Sequence, residues 1–478
     1  MKPYILCALV CAVFIFAWTA NVSAEGIHLP PHQRVVLKNG LTVLLLEKHE
    51  APFVSISAIV KIGSSADPTG QEGLAAATAG LLRRGTRHQS AEQFASDLDF
   101  IGASFDGSAE PDLTTVSAEF LVQDLDRGLS LFADAVTSPS FSQQEVSKYL
   151  AQSLDQAKGS KDDAQSVLGT YFDGYLFAGH LYGRPVSGDE LSLQSITALT
   201  IADFYNKYYA PGNTILAVAG DFKASDMLAR LEALFGSWPT KPVPVVSIPS
   251  PNAVKESRLL LVDKPDSTQT FFAIGNVGTT ATDPDRVAIK LVNTIFGGAF
   301  SSMLNQALRV DSGLTYGAGS HFDLRKAPGS FIMSSYTQND TTVRAIDLAL
   351  ETLRRLHRDS VTQEQLDSAR RYIKGQYPPS IETSSQLASL IARNEFYGLD
   401  DNEVNQLEAQ LDAVTPEMAR RVIEKDFPSD SLVFVLIGKA SEIGSQVKKY
   451  AEHQDSRKIS DPGFWAPQRS NSAPPTKK

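Results

Sequence analysis

Leu44-Leu45-Leu46-Glu47-Lys48 returns as Leu260-Leu261-Val262-Asp263-Lys264, 216 residues further on. Both are apolar, strand-like runs that end in an acid-base pair. Ser142-Gln143-Gln144-Glu145 opens a helical pattern, and Thr362-Gln363-Glu364-Gln365 opens another at an offset of 220. Each reads as a capping box, with a hydroxyl taking an orphan amide and a carboxyl or amide side chain reaching back. A helix beginning Thr200-Ile201-Ala202-Asp203 and a strand from Thr214 to Gly220 close the first half. Thr415-Pro416-Glu417 and a strand from Leu432 to Gly438 close the second, at offsets of 215 and 218. Any one match is weak, but four near a single offset indicate a duplicated chain.

The halves meet at Pro239, Pro242, Pro244, Pro249 and Pro251, a composition that favours an extended, semi-rigid linker. The expected organisation is a leader over 1–24, a first domain over 25–240, a linker over 241–256 and a second domain over 257–450. A loose polar tail follows over 451–478. Val343, Ile346, Leu350 and Leu353 recur at helical spacing, so Thr341 to His357 is read as an amphipathic helix. Val116, Ala118 and Phe120 alternate with Ser117 and Glu119, so Leu113 to Leu121 is read as a strand. No Gly-x-Gly-x-x-Gly turn or phosphate loop accompanies these elements. The fold class is α+β, with two domains of similar fold.

Of the 478 residues, 42% are apolar and 21% charged, a globular composition that rules out general disorder. The net charge of -10 and a pI near 5.4 argue against a nucleic-acid partner. Lys2 is the only charge before Glu25. An unbroken apolar run from Tyr4 to Trp18 and the small-x-small triplet Val22-Ser23-Ala24 follow it. That pattern is a secretory signal with cleavage after Ala24, or a retained N-terminal anchor, and places the chain in the periplasm or outside the cell. Cys7 and Cys11 both lie inside the signal, so the exported chain has no disulfide. No later segment reads as a membrane span.

The eight histidines, His28, His32, His49, His88, His180, His321, His357 and His453, form no ligand pair on a helix. His28 and His32 are four apart, but Pro30 and Pro31 between them break the helix. No thiolate zinc site and no Gly-x-Ser-x-Gly elbow is present. The residues alone show a secreted, duplicated protein without a catalytic constellation.

Several stretches taken in order resemble the pitrilysin/insulinase family of zinc metallopeptidases, which includes the mitochondrial processing peptidase. They are Leu37-Lys-Asn-Gly-Leu-Thr-Val43, Lys61-Ile-Gly-Ser-Ser65, Gly73-Leu-Ala75, Gly85-Thr86 and Tyr208-Tyr-Ala-Pro-Gly-Asn213 with Gly220-Asp221. Val262-Asp-Lys-Pro265 with Gln269, Gly297-Gly298-Ala-Phe-Ser-Ser302, Leu308-Arg309 and Gly313-Leu-Thr-Tyr316 follow. The resemblance runs from about Arg34 to Lys449. It implies that each domain is an antiparallel-rich sheet flanked by helices.

In that family a helix after Gly-Leu-Ala carries His-x-x-Glu-His, whose imidazoles hold zinc and whose carboxylate activates water. Gly73-Leu74-Ala75 and Gly85-Thr86 fix the register. They put Ala76 and Gly80 at the histidine positions and Ala79 at the glutamate. The third ligand falls at Gln156, with Asp155 one residue away. A methyl group or a hydrogen has no lone pair to donate, so no metal is expected in this chain. Ala76, Ala79 and Gly80 also read simply as a small-residue face for close packing. By helix propensity Gly80→His is expected to be tolerated.

The resemblance also implies an arginine and a tyrosine from the second half that polarise the scissile carbonyl; Arg309 and Tyr316 stand at those positions. Gly297-Gly298 reads either as a tight turn needing φ > 0 or as a flexible loop over a peptide. Leu113 to Leu121 is core sheet or the edge strand that accepts substrate. The pattern is that of a non-catalytic subunit of a periplasmic, heterodimeric zinc peptidase acting on unstructured peptides. A homologous His-x-x-Glu-His subunit would carry the zinc, and Arg309 and Tyr316 would complete its site. Two other readings stand beside it. One is a scaffold subunit like the core proteins of a respiratory cytochrome complex. The other is a peptide-binding homodimer without proteolysis.

Overall fold

The computed structural model describes residues 26–464; the signal-like segment and residues 465–478 lie outside it. Six strands build the first sheet: β1 His32–Val36, β2 Thr42–Glu47, β3 Phe53–Val60, β4 Ser104–Ala109, β5 Thr114–Leu121 and β6 Thr214–Gly220. Six more build the second: β7 Arg258–Asp263, β8 Gln269–Val277, β9 Ala318–Phe322, β10 Ser330–Gln338, β11 Val433–Gly438 and β12 His453–Lys458. The orders are β1-β2-β6-β3-β5-β4 and β12-β7-β11-β8-β10-β9. From β2 and β7 inward the two sheets have the same topology, so the duplication seen in the sequence is a duplication of fold. In both, the repeated Leu-rich strand pairs in parallel with the late strand, β2 with β6 and β7 with β11. Helices cover both faces of each sheet. The central strands are therefore buried on both sides and read as unbroken apolar runs rather than alternating ones.

The helix-start signals differ in how completely they are used. Thr362 and Gln365 form a full capping box. Ser142 accepts the Glu145 N–H, but Glu145 turns away toward Arg84, 3.7 Å from its guanidinium, so only half of that box is made. Thr200 does not open its helix. It is the third residue of Ala198–Tyr208 and closes a box with Thr197.

Four helices position the features that follow: α1 Leu74–Leu81, α2 Gln143–Gly159, α3 Ala164–Leu176 and α4 Ser384–Tyr397. The halves trade two of them. On α3, Val167, Leu168, Tyr171, Phe172 and Leu176 bury against the second sheet, among Leu260, Val262, Val433, Val435 and Ile437. On α4, Leu387, Ala388, Ile391 and Phe396 bury against the first sheet, among Leu44, Leu46, Ile59, Ile215 and Ala219. Each half therefore supplies a wall of the other's core, and the sequence limits 25–240 and 257–450 do not bound the two cores.

Other readings are decided or changed. Of the two readings of Leu113–Leu121, core sheet holds: it is interior, as β5 between β3 and β4, and the edges of this sheet are β1 and β4. The tail is not loose over its first part. β12 pairs in parallel with β7, and Ile459 and Phe464 are buried. Residues 241–257 form no helix or strand. Prolines 242, 244, 249 and 251 supply no N–H, so they cannot extend a ladder, and the edge place that β1 holds in the first sheet is taken in the second by the chain's end. Finally, Arg286–Asp311 is long and apolar enough to cross a membrane by length and composition. Half of its most apolar stretch is buried, with Ile289, Leu291, Val292, Phe296 and Leu308 in the second core.

Candidate functional site

Helix α1 starts where Asp67 folds under it. Asp67 Oδ2 accepts the Gly73 N–H and Oδ1 accepts the Ala75 N–H, both at 2.9 Å. These are two of the amides a helix N-terminus leaves unpaired. Gly73 sits at φ +97° with its Cα face against Gly188; an added Cβ would come within 2.9 Å of that backbone. Burial pushes the Asp67 carboxyl up to about 8 from an ordinary 3.8, although the helix amides pull the other way. A raised folded-state pKa means that the folded chain binds the proton more tightly. The resulting stability is present below about pH 4 and lost as pH rises through 8. Asp67→Asn does not titrate. The unfolding free energy of wild type should therefore fall relative to Asp67→Asn between pH 5 and 8, by on the order of 1 kcal/mol per pH unit, as read from denaturant titrations. A constant difference across that range would contradict this.

The small residues of α1 face two different neighbours. Ala79 is fully buried beneath β4, where Gly107 lies so close that an added Cβ would sit 2.9 Å from the Ala79 carbonyl carbon. The close packing expected here is thus helix on strand, not helix on helix. Gly80 faces α2. The Tyr149 phenol occupies the space a side chain at 80 would need, and an added Cβ would stand 2.7 Å from Tyr149 Cζ. Burial raises the Tyr149 pKa, with a Ser153 hydrogen bond opposing it.

Ala76 and Gln156 line one cavity of about 530 Å³, together with Tyr149, Ser153, Thr170 and Phe464. Asp155 is exposed and does not line it. Among the described residues no three His, Cys, Asp or Glu side chains converge as a metal-ligand group. A methyl, a hydrogen, a carboxamide and a neutral phenol are not a zinc donor set, so the family's metal does not fit this site. Tyr149 was not singled out in the sequence. Its signal was its spacing: Tyr149, Ser153 and Gln156 stand at i, i+4 and i+7, one face of a helix.

Restoring the ligand identities should fail for a reason of space as well as of orientation. Gly80→His must displace Tyr149, and Ala79→Glu must enter a gap closed by the β4 backbone. The propensity expectation for Gly80→His is thereby overturned: it should cost about 1–3 kcal/mol as overpacking, relieved in part by Tyr149→Ala. The quadruple variant Ala76→His, Ala79→Glu, Gly80→His, Gln156→Glu is expected to hold no stoichiometric zinc by elemental analysis. About one tightly held zinc per chain would show that the site survives.

Arg309 and Tyr316 lie on the second half, and neither lines that cavity. Arg309 is on the π-helical stretch Gln306–Asp311, its guanidinium 4.5 Å over the Phe300 ring. The turn that carries Tyr316 is pinned at both sides. Leu314 N–H donates to the Leu308 carbonyl (2.9 Å), Thr337 Oγ1 donates to the Leu314 carbonyl (2.7 Å), and Gly317 N–H donates to Thr315 Oγ1 (3.1 Å). The Tyr316 side chain itself is 79% exposed, and Phe300 and Val310, earlier in the chain, are exposed as well. Among the described residues neither the Arg309 guanidinium nor the Tyr316 hydroxyl has a hydrogen-bond or ion-pair partner. Gly297 and Gly298 end a second π-helical stretch, Thr294–Gly298, and neither has a positive φ. The turn reading of this pair is therefore wrong. Gly297 is required because β9 crosses it, and an added Cβ would lie 2.8 Å from Ser320 Cβ.

Residues 42–189 match Insulinase (Peptidase family M16), and residues 195–373 match the Peptidase M16 inactive domain. A Rickettsia felis protein named an uncharacterized zinc protease is 28% identical over 309 residues, 64% of this chain and 73% of its own length. A Bacillus subtilis protein of the same description is 23% identical over 399 residues, 83% and 96% of the two chains. The crystal structure of a peptidase M16 inactive domain from Pseudomonas fluorescens superposes with a TM-score of 0.80 at 26% identity, over 86% of this chain and 98% of that one. A Helicobacter pylori protease superposes equally well at 22% identity, a likeness of fold.

Proposed function

From the premise that this chain belongs to the insulinase family of peptidases (M16) and is of its inactive type, we propose that it is the non-catalytic subunit of a heterodimeric zinc metallopeptidase of the periplasm. Its partner is a homologous chain with His-x-x-Glu-His intact, and its substrates are unstructured peptides. The supporting observation is an asymmetry. The first half has lost every donor at the metal positions, and Tyr149 stands in the space. The second half keeps Arg309 and Tyr316 on a pinned turn with their polar ends uncommitted. Guanidinium and phenol are the donors a developing oxyanion needs in place before it forms. An exposed tyrosine with no internal partner is costly to explain as packing and simple to explain as a group reserved for another surface.

The chain alone is expected to cleave no peptide. Peptide hydrolysis should appear only when it is mixed with a His-x-x-Glu-His chain, together with a heterodimer mass in light scattering. A stable homodimer that ignores such a chain would instead favour the peptide-binding module. A lasting complex without hydrolysis would favour the scaffold.

A further inference from the structure

The last described residues cross back from the second half onto the first, at the cavity that Ala76 and Gln156 line. Lys161, just after α2, and Glu190 are both buried and form an ion pair. An ammonium has three N–H donors. One goes to Glu190 Oε1; the other two go to the carbonyls of Asp461 (2.8 Å) and Gly463 (3.3 Å). Glu190 Oε2 accepts the Gly463 N–H at 2.8 Å. Burial pushes the Glu190 carboxyl up, but Lys161 and the Gly463 N–H outweigh it and leave it below its ordinary value. Residues 461–463 thus partner two of the three ammonium donors and one carboxylate oxygen of a buried ion pair, groups that are costly to leave unmet while buried.

The segment that meets them is shaped for the place. Arg457 donates to the carbonyls of Asp461, Pro462 and Gly463 at 3.1, 2.9 and 2.9 Å. Gly463 has φ +78°, and an added Cβ would stand 3.0 Å from Asp189 Oδ2. The Phe464 ring is 5% exposed, T-shaped on Tyr171 at 5.1 Å, with Lys161 Nζ 5.0 Å from its centroid. It forms part of the wall of the cavity that Ala76 and Gln156 line.

We propose that Lys161, Glu190, Tyr171 and this cavity form a peptide-binding site whose resident ligand is the chain's own bent segment 459–464, and which takes in trans a peptide bearing a glycine-aromatic pair that can adopt the same bend. Two main-chain carbonyls, one N–H and one ring carry the recognition, so sequence is read only at the glycine and the aromatic residue. The site belongs to the isolated chain and needs no partner subunit, so it stands or falls separately from the composite active site.

The test uses the full-length chain as wild type, Phe464→Ala and Gly463→Ala. Hydrogen exchange at the Asp461 and Gly463 amides should accelerate at least ten-fold in both variants, with trypsin cleavage after Lys458 accelerating alongside. A fluorescein-labelled peptide of residues 459–464 should bind both variants at least ten-fold more tightly than wild type, whose site is filled. The same peptide with Phe464→Ala should not bind. If one variant fails to fold, the other decides. Equal exchange in wild type and variants, or peptide binding that is absent or equal in all three, would overturn the proposal.

Discussion

With the proposed composite site, Tyr316→Phe should lower peptide hydrolysis by the complex with a His-x-x-Glu-His chain on the order of 10²–10³-fold, the usual effect of removing one preorganised oxyanion donor. The side chain is 79% exposed and its hydroxyl has no partner among the described residues, so the substitution leaves the fold of this subunit intact. Arg309→Ala should lose as much, and Arg309→Lys should recover little, because an ammonium lacks the planar fork. Arg309→Ala also uncovers Phe300, whose ring the guanidinium caps at 4.5 Å; Tyr316→Phe has no such side effect and is the cleaner reading. Steady-state hydrolysis is measured on co-purified complexes, with zinc content and assembly followed in parallel. Unchanged turnover in both variants, with assembly intact, would falsify the composite site.

The second large effect concerns the traded helices. A fragment ending at Ser250 contains all six strands of the first sheet but not α4, so the face formed by Leu44, Leu46, Ile59, Ile215 and Ala219 has no cover. Each large side chain left exposed forfeits about 1.5–3 kcal/mol, and several together exceed the stability of an ordinary domain. That fragment is expected to show no cooperative unfolding transition by calorimetry. Co-expression with residues 251–478 should restore it. In the intact chain, Ile391→Ala should cost about 2–5 kcal/mol. Its mark should be faster hydrogen exchange in β3 and β6, more than 150 residues away in sequence. Exchange confined to the second half would show that α4 is not part of the first core.

The duplication and its sheet-forming runs were legible because a central strand buried on both faces needs a continuous apolar run. Leu44–Leu46 and Leu260–Val262 are such runs. The helix that carries Ala76, Ala79 and Gly80 was legible because Gly73-Leu74-Ala75 and Gly85-Thr86 bracket it at fixed spacing. What escaped the sequence was pairing between distant segments. An apolar helix face does not say which sheet it covers, so the limits 25–240 and 257–450 left the segments of α3 and α4 within their own halves. Strand order is likewise absent from a strand's own residues, so β5 was left open between core sheet and edge; it is core sheet, with β4 outside it. Gly107 is the trace of that in hindsight: a glycine in a strand where a helix backbone approaches closely. The polar composition of His453–Lys458 suggested a loose tail, yet a parallel edge strand needs only its backbone, and the linker's prolines had left that place open.

The trade of α3 for α4 also sets an order of events during synthesis. When Gly220 leaves the ribosome the first sheet has all its strands, but the helix that shields one face is encoded from Ser384 onward. At roughly 5–20 residues per second, that face waits on the order of ten seconds for its cover. The nascent chain presents an apolar surface for that whole interval, so its yield should depend on chaperone holding far more than on the stability of the finished protein.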